Sequence, residues 1–260
     1  MKKLILSSLV MASLSFAANA VTYMNVKTDD GSVVRYGVEH VTEVYFTEES
    51  ETPADEDQGV TVSGKEGLYT YVDLGLTSGT KWATYNVGAT KPTEYGDYFA
   101  WGETMQQLDS VYTEESYKYG DLHKYNTDSI YGTVDNKMVL EAVDDAATAN
   151  WGSAWRMPTA EEIDELIEGC EWEWIENFDE SGVNGQLGTS KTTGATIFLP
   201  AAGMRYDFEL LDAGDYAYYW SSSLDADDPN NAYHIDFGGF YIKENRLNRY
   251  FGQNVRAVLR

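Results

Sequence analysis

Residues 155–170 read Trp155-Arg156-Met157-Pro158-Thr159-Ala160-Glu161-Glu162-Ile163-Asp164-Glu165-Leu166-Ile167-Glu168-Gly169-Cys170. Thr159 and Glu162 form a capping box, in which a hydroxyl and a carboxylate satisfy amides that the first helical turn leaves open. Ile163, Leu166, Ile167 and Cys170 then recur at helical spacing, and Gly169 stands near the end. The pattern predicts a helix from residue 160 with one apolar face. Glu161, Glu162 and Glu165 are its cap and its solvated side.

Outward from this helix, the pattern changes to strands. Residues 171–175, 195–199, 216–221, 233–237 and 254–259 read as strands, and Tyr233, Ile235 and Phe237 alternate with His234 and Asp236 as in a half-buried one. Upstream, residues 69–76 and 81–86 read as strands paired around Ser78-Gly79. Residues 138–149 read as a second helix, with Val139, Ala142, Val143 and Ala146 on one side. Two helices and many antiparallel strands predict an α+β domain over residues 67–260.

The segments before it have other roles. Lys2 and Lys3, a short apolar run and Ala18-Asn19-Ala20 predict a signal peptide over residues 1–20, too short in its apolar part to span a bilayer. The chain is therefore expected to be exported, to the periplasm, the cell surface or beyond. Residues 21–47 read as a small β unit, with Asp29-Asp30-Gly31 as a turn. Residues 48–66 read as an acidic linker, because residues 48–57 hold six carboxylates and no positive charge. Over all 260 residues there are 43 Asp+Glu against 18 Lys+Arg, a formal charge of −25. That balance argues against a nucleic-acid partner or an anionic membrane surface, both of which need clustered basic residues. The one Cys, Cys170, can form no internal disulfide or iron–sulfur cluster, and its place on the apolar helix face predicts a buried thiol.

A series of short motifs runs through the domain in order: Tyr71-Val72-Asp73-Leu74-Gly75-Leu76, Trp82-Ala83, Asn86-Val87-Gly88-Ala89, Tyr95-Gly96-Asp97-Tyr98-Phe99-Ala100-Trp101-Gly102-Glu103, Trp155-Arg156-Met157-Pro158-Thr159, Phe198-Leu199-Pro200-Ala201-Ala202-Gly203, Tyr219-Trp220-Ser221-Ser222-Ser223 and Val255-Arg256-Ala257-Val258. As a set they resemble the Fibrobacter succinogenes major paralogous domain family, exported proteins of gut-type Bacteroidota. That family is related to C-type-lectin-like and formylglycine-generating-enzyme-like domains. The resemblance implies two helices packed on a twisted, mostly antiparallel sheet, with long loops that carry function. Formylglycine-generating chemistry uses cysteines, and the solitary Cys170 does not support it.

The chemistry-bearing residues point toward binding. His40, His123 and His234 stand far apart without a ligand-spaced neighbour, and Ser221-Ser222-Ser223 is not a nucleophile elbow, so no catalytic residue is assigned. Trp151, Trp155, Arg156, Trp172 and Trp174 are read as structural. Two loops remain. Residues 102–135 carry Tyr112, Tyr117, Tyr119 and Tyr125, whose rings and hydroxyls suit sugars or protein surfaces. Residues 225–231 carry Asp225, Asp227, Asp228 and Asn230, an oxygen set that calcium could use or that could simply stay hydrated. Gathered at one end, the loops would make a non-catalytic recognition module for a glycan or a surface protein, without a cofactor unless calcium binds. The competing readings are an altered enzyme of the formylglycine-generating type and a structural part of a surface assembly.

Overall fold

Ala160–Gly169 is helical, and the capping box at its start is complete. The Thr159 hydroxyl accepts from the Glu162 amide at 3.3 Å, and the Glu162 carboxylate accepts from the Thr159 amide at 2.9 Å. Ile163 and Leu166 are fully buried on the predicted face. Cys170, also buried, leads directly into a strand, and burial pushes its thiol up to about 11.

This computed structural model describes residues 23–27, 33–37, 59–106, 112–115, 117 and 122–259. The chain divides into two units, Met1–Asp55 and Glu56–Arg260. In the first, β1 (Tyr23–Lys27) pairs antiparallel with β2 (Val33–Gly37), Tyr23 opposite Gly37. The expected leader and the third strand of that unit lie outside the described residues.

The second unit is α+β. In chain order it contains β3 (Gly64–Glu66), β4 (Tyr69–Val72), β5 (Trp82–Ala83), α1 (Ala146–Trp151), β6 (Trp155–Arg156), α2 (Ala160–Gly169), β7 (Cys170–Phe178), β8 (Val183–Ser190), β9 (Thr196–Pro200), β10 (Met204–Tyr206), β11 (Glu209–Leu211), β12 (Ala217–Leu224), β13 (Asn231–Gly238), β14 (Tyr241–Asn248) and β15 (Val258–Leu259). The strands form antiparallel sheets ordered β3-β4-β5-β15-β6, β7-β8-β9 and β12-β13-β14, with β10 and β11 paired separately. The last strand enters between two early ones, so that Val258 faces Trp82 on one side and Arg156 on the other. Val72, Leu74, Trp82, Ile163, Leu166 and Phe237 pack in one core cluster, and Phe99, Trp101, Trp155, Met157 and Trp220 in a second.

Four expectations need correction. The helix expected over residues 138–149 begins only at Ala146, because Asp145 caps it by accepting from the Thr148 amide at 2.8 Å. Residues before the cap are tied to β12 instead: the Leu140 amide donates to Ser222 O and the Leu224 amide to Met138 O. Val139 and Val143, expected on the buried side, are 47% and 73% exposed. Secondly, β13 is not half-buried, since it is the middle strand of its sheet and both faces are covered. Ile235 and Phe237 enter the first core cluster, while His234 lies between Tyr218 and Trp220 on the other face. Thirdly, only Val258–Leu259 of residues 254–259 is strand; Asn254 makes an isolated bridge to Tyr219. Finally, part of the expected linker is folded. Gly64–Glu66 pairs with Tyr69–Val72, and the Thr61 amide donates to Thr196 O at 3.1 Å.

The structural reading of the helix-flanking residues agrees with their contacts. Trp151 stacks on Tyr69 with centroids 4.0 Å apart, and Trp155 is buried beside it. Trp172 donates its indole N–H to Ile167 O, and Trp174 packs part-buried against the first cluster. Arg156 reaches both oxygens of Glu162 at 2.5 Å.

Candidate functional site

Arg249 follows immediately on β14 and is held on both sides of its backbone. Its amide donates to Asn230 O at 2.9 Å, and its carbonyl accepts from the Trp101 amide at 2.8 Å. The side chain, 4% exposed, is thereby aimed beneath both candidate loops. Nε donates to the Tyr117 hydroxyl at 3.1 Å. Nη1 donates to Tyr125 O at 3.0 Å and to Pro229 O at 2.9 Å, and Nη2 reaches Lys124 O at 3.4 Å. The guanidinium also lies 4.6 Å from the Trp101 ring centroid and 5.4 Å from that of Tyr117. One cation thus fastens residues of the 102–135 segment to the 225–231 loop. Thr127 adds a second link through its hydroxyl to Ala226 O at 3.4 Å. The two loops do lie together, as expected.

Beside Arg249 is a cleft of about 300 Å³, lined among others by Trp101, Glu103, Tyr117, His123, Lys124 and Asp144. Asp144 accepts from the Lys124 ammonium at 2.6 Å and from the Tyr125 hydroxyl at 2.5 Å, while that hydroxyl accepts from the Glu141 amide at 2.8 Å. Burial, reinforced by the Asp144 carboxylate, raises the Tyr125 phenol above its ordinary range. The Lys124 ammonium is raised too, chiefly by its bond to Asp144. The walls therefore offer aromatic edges, both signs of charge and several oxygens. That composition can hydrogen-bond a polar organic ligand from more than one side.

The expected site residues have divided roles. Tyr112 and Tyr125 are only 2% exposed, so neither presents a ring face to a ligand. Tyr112 donates to Tyr98 O at 2.7 Å and belongs to a small aromatic core with Tyr98. A long segment with little regular structure must still bury apolar surface, and these rings supply it. Tyr117 does border the cleft, with its hydroxyl donated to Trp101 O. Tyr119 lies outside the described residues.

The 225–231 loop is also more internal than a hydrated hairpin. Asp225 and Asn230 are 3% and 1% exposed. Asp225 accepts from the Asp227 amide at 3.0 Å and lies 3.5 Å from Arg246. One oxygen of Asp228 accepts from both nitrogens of Asn230, and the other accepts from the Asn231 side chain. Of the four candidate residues of this loop, Asp227 alone is largely exposed, at 89%. Among the described residues no three His, Cys, Asp or Glu side chains gather as a metal-binding group. The Asp225 and Asp228 oxygens brace their own turn, while the buried Asn230 Oδ1 has no hydrogen-bond partner among the described residues.

Arg249, Lys124 and Asp144 were not singled out from the sequence, and Trp101 appeared there only within a motif, not as a site residue. For Asp144 there was a usable signal: of the pair Asp144-Asp145, only one can cap a helix, and the other is left for a different partner. Arg249 carried none, because its partners come from segments 20 to 132 residues away. No protein-family model matches the chain, nor does any curated protein or solved structure. No helix among the described residues is long and apolar enough to cross a membrane.

Proposed function

We propose that this chain is an exported, non-catalytic recognition module in a C-type-lectin-like arrangement, whose Arg249-centred cleft binds a glycan at the cell envelope. The observation that carries the proposal is the convergence of both long loops on one buried guanidinium. Loops held by a rigid scaffold are where binding surfaces are commonly built, and here the cleft beside Arg249, walled by the 102–135 segment, combines aromatic edges with paired donors and acceptors. A glycan array probed with the full exported chain, with and without a calcium chelator, tests it. The expected result is a restricted set of bound glycans. Lys124→Ala and Asp144→Asn should each weaken that binding at least tenfold while the thermal midpoint moves little, since the Lys124 side chain is 45% exposed and the asparagine keeps an acceptor for the Tyr125 hydroxyl. Loss of binding with the chelator would place calcium in the complex. An array without any bound glycan, or variants that bind as the parent does, would remove this reading.

A further inference from the structure

Three ion pairs with a buried member show the usual arrangement, an opposite charge close by. Arg156 meets Glu162 at 2.5 Å, Arg246 lies 3.5 Å from the buried carboxylate of Asp225, and Lys243 lies 3.5 Å from that of Asp236. Arg249 is different. Its acceptors are three carbonyls and one phenol, and among the described residues no carboxylate oxygen lies within ion-pair distance of it. Carboxylates are not scarce, for the chain holds 43 Asp+Glu against 18 Lys+Arg. A buried cation without a counter-ion is costly unless something neutralises it. Arg256 is a second such cation, but its three nitrogens are bonded to Asn86, Ala83 and Phe198 oxygens inside the core, and burial drives it down to about 10. Arg249 instead borders a cleft.

The donors are also incompletely used. A guanidinium carries five N–H groups. Nε and Nη1 make three good bonds, whereas Nη2 has only the 3.4 Å approach to Lys124 O. With one ring face against Trp101, the remaining edge is what a ligand in the cleft can reach. A carboxylate suits that edge best, because one of its oxygens can accept from Nη2 while its charge neutralises the guanidinium. The other charges do not compete for the same task. Asp144 is already neutralised by Lys124 at 2.6 Å, and the exposed Glu103 is placed to accept from hydroxyls.

We infer that the cleft recognises a carboxylate-bearing sugar, with the ligand carboxylate supplying the counter-ion that the described residues do not give Arg249. The inference rests on the glycan-binding reading above and narrows it to acidic sugars. Titration calorimetry on the full exported chain tests it with glucuronic and galacturonic acid, their methyl esters, and glucose and galactose. The expected result is that at least one acid binds tenfold or more tighter than its own ester. Arg249→Lys should reduce that ratio to near one, since the lysine ammonium ends short of the Nη2 position and cannot donate there. If the lysine variant does not fold, the acid-to-ester ratio of the unmodified protein decides alone. Equal affinity for acid and ester overturns this inference and leaves the glycan reading standing. No binding by any of these sugars, together with an array that shows only neutral glycans bound, overturns it likewise; an array with nothing bound removes both. Preference for a dipeptide with a free carboxyl terminus over both sugar acids would show a peptide source for the carboxylate and overturn the sugar assignment.

Discussion

Replacing Glu162 with Gln should cost the second unit about 2–3 kcal/mol, the penalty for breaking a partly buried ion pair after allowance for solvent at its edge. The carboxylate is 13% exposed and its partner Arg156 25%. It accepts two bonds at 2.5 Å from the guanidinium, one at 2.7 Å from the Thr80 hydroxyl and one at 2.9 Å from the Thr159 amide. Gln keeps the shape but has one acceptor oxygen, so a guanidinium N–H must face the new amide N–H₂, and the charge of Arg156 loses its partner. The residue joins the start of α2, strand β6 and the 78–81 turn, so the loss is felt globally. Urea denaturation followed by tryptophan fluorescence reads it, and the midpoint should fall by about 1 M at an m-value of about 2–3 kcal/mol per M. Acid supplies a second check. Burial raises the Glu162 carboxyl, but the Arg156 bond, the Thr159 amide and the Thr80 hydroxyl outweigh it and hold it below the ordinary 4.5. Its stabilisation is therefore present above 4.5 and lost as pH falls through the lower folded value, so the gap between parent and variant should close in strong acid. A midpoint shift below about 0.3 M at pH 7 would refute the claim that this ion pair organises the helix start.

Two further outcomes follow from the contacts of single carboxylates. Glu244 sits with Asp164 and Glu161 around a second cleft, and burial, then Asp164, pushes it up to about 7. The folded state therefore holds this proton more tightly than the unfolded chain, and the associated stability, full below 4.5, is lost as pH rises toward 7. Glu244→Gln should raise the thermal midpoint at pH 8, by on the order of 1 kcal/mol after solvent screening, and leave it unchanged near pH 4; equal gains at both pH values would contradict the assignment. Within the acidic loop, Asp227→Asn should leave the denaturation midpoint unchanged, whereas Asp228→Asn should cost about 1–2 kcal/mol, because Asn cannot accept at both positions that hold Asn230 and Asn231. Identical effects of the two substitutions would mean that the loop is not braced in this way.

Local chemistry was enough for α2. A Thr hydroxyl three residues before a Glu carboxylate, followed by apolar residues at helical spacing, specifies a helix through contacts within a single turn, and the structure keeps all of them. The same logic failed over residues 138–149, where the apolar spacing was present but the backbone amides had partners on β12 that no local pattern reveals. The α+β character, the buried Cys170 and the charge balance are likewise properties of composition and near-neighbour order. Which tyrosines are buried is not. Tyr112 and Tyr125 look identical in sequence to Tyr117, and only the closing of distant segments over them decides that Tyr112 fills the interior, Tyr125 is buried in the cleft wall and Tyr117 borders the cleft half-buried. Arg249 is the clearest case: its partners are a phenol 132 residues upstream, carbonyls 124 and 125 residues upstream and a carbonyl on the adjacent loop. Hydrogen bonds to backbone carbonyls leave no residue-type signature, because every residue carries the same acceptor. The sequence alone determined the helix with its cap and the class of the domain, whereas the buried cation and the cleft beside it came into being only when remote carbonyls were brought within 3 Å or so of one side chain.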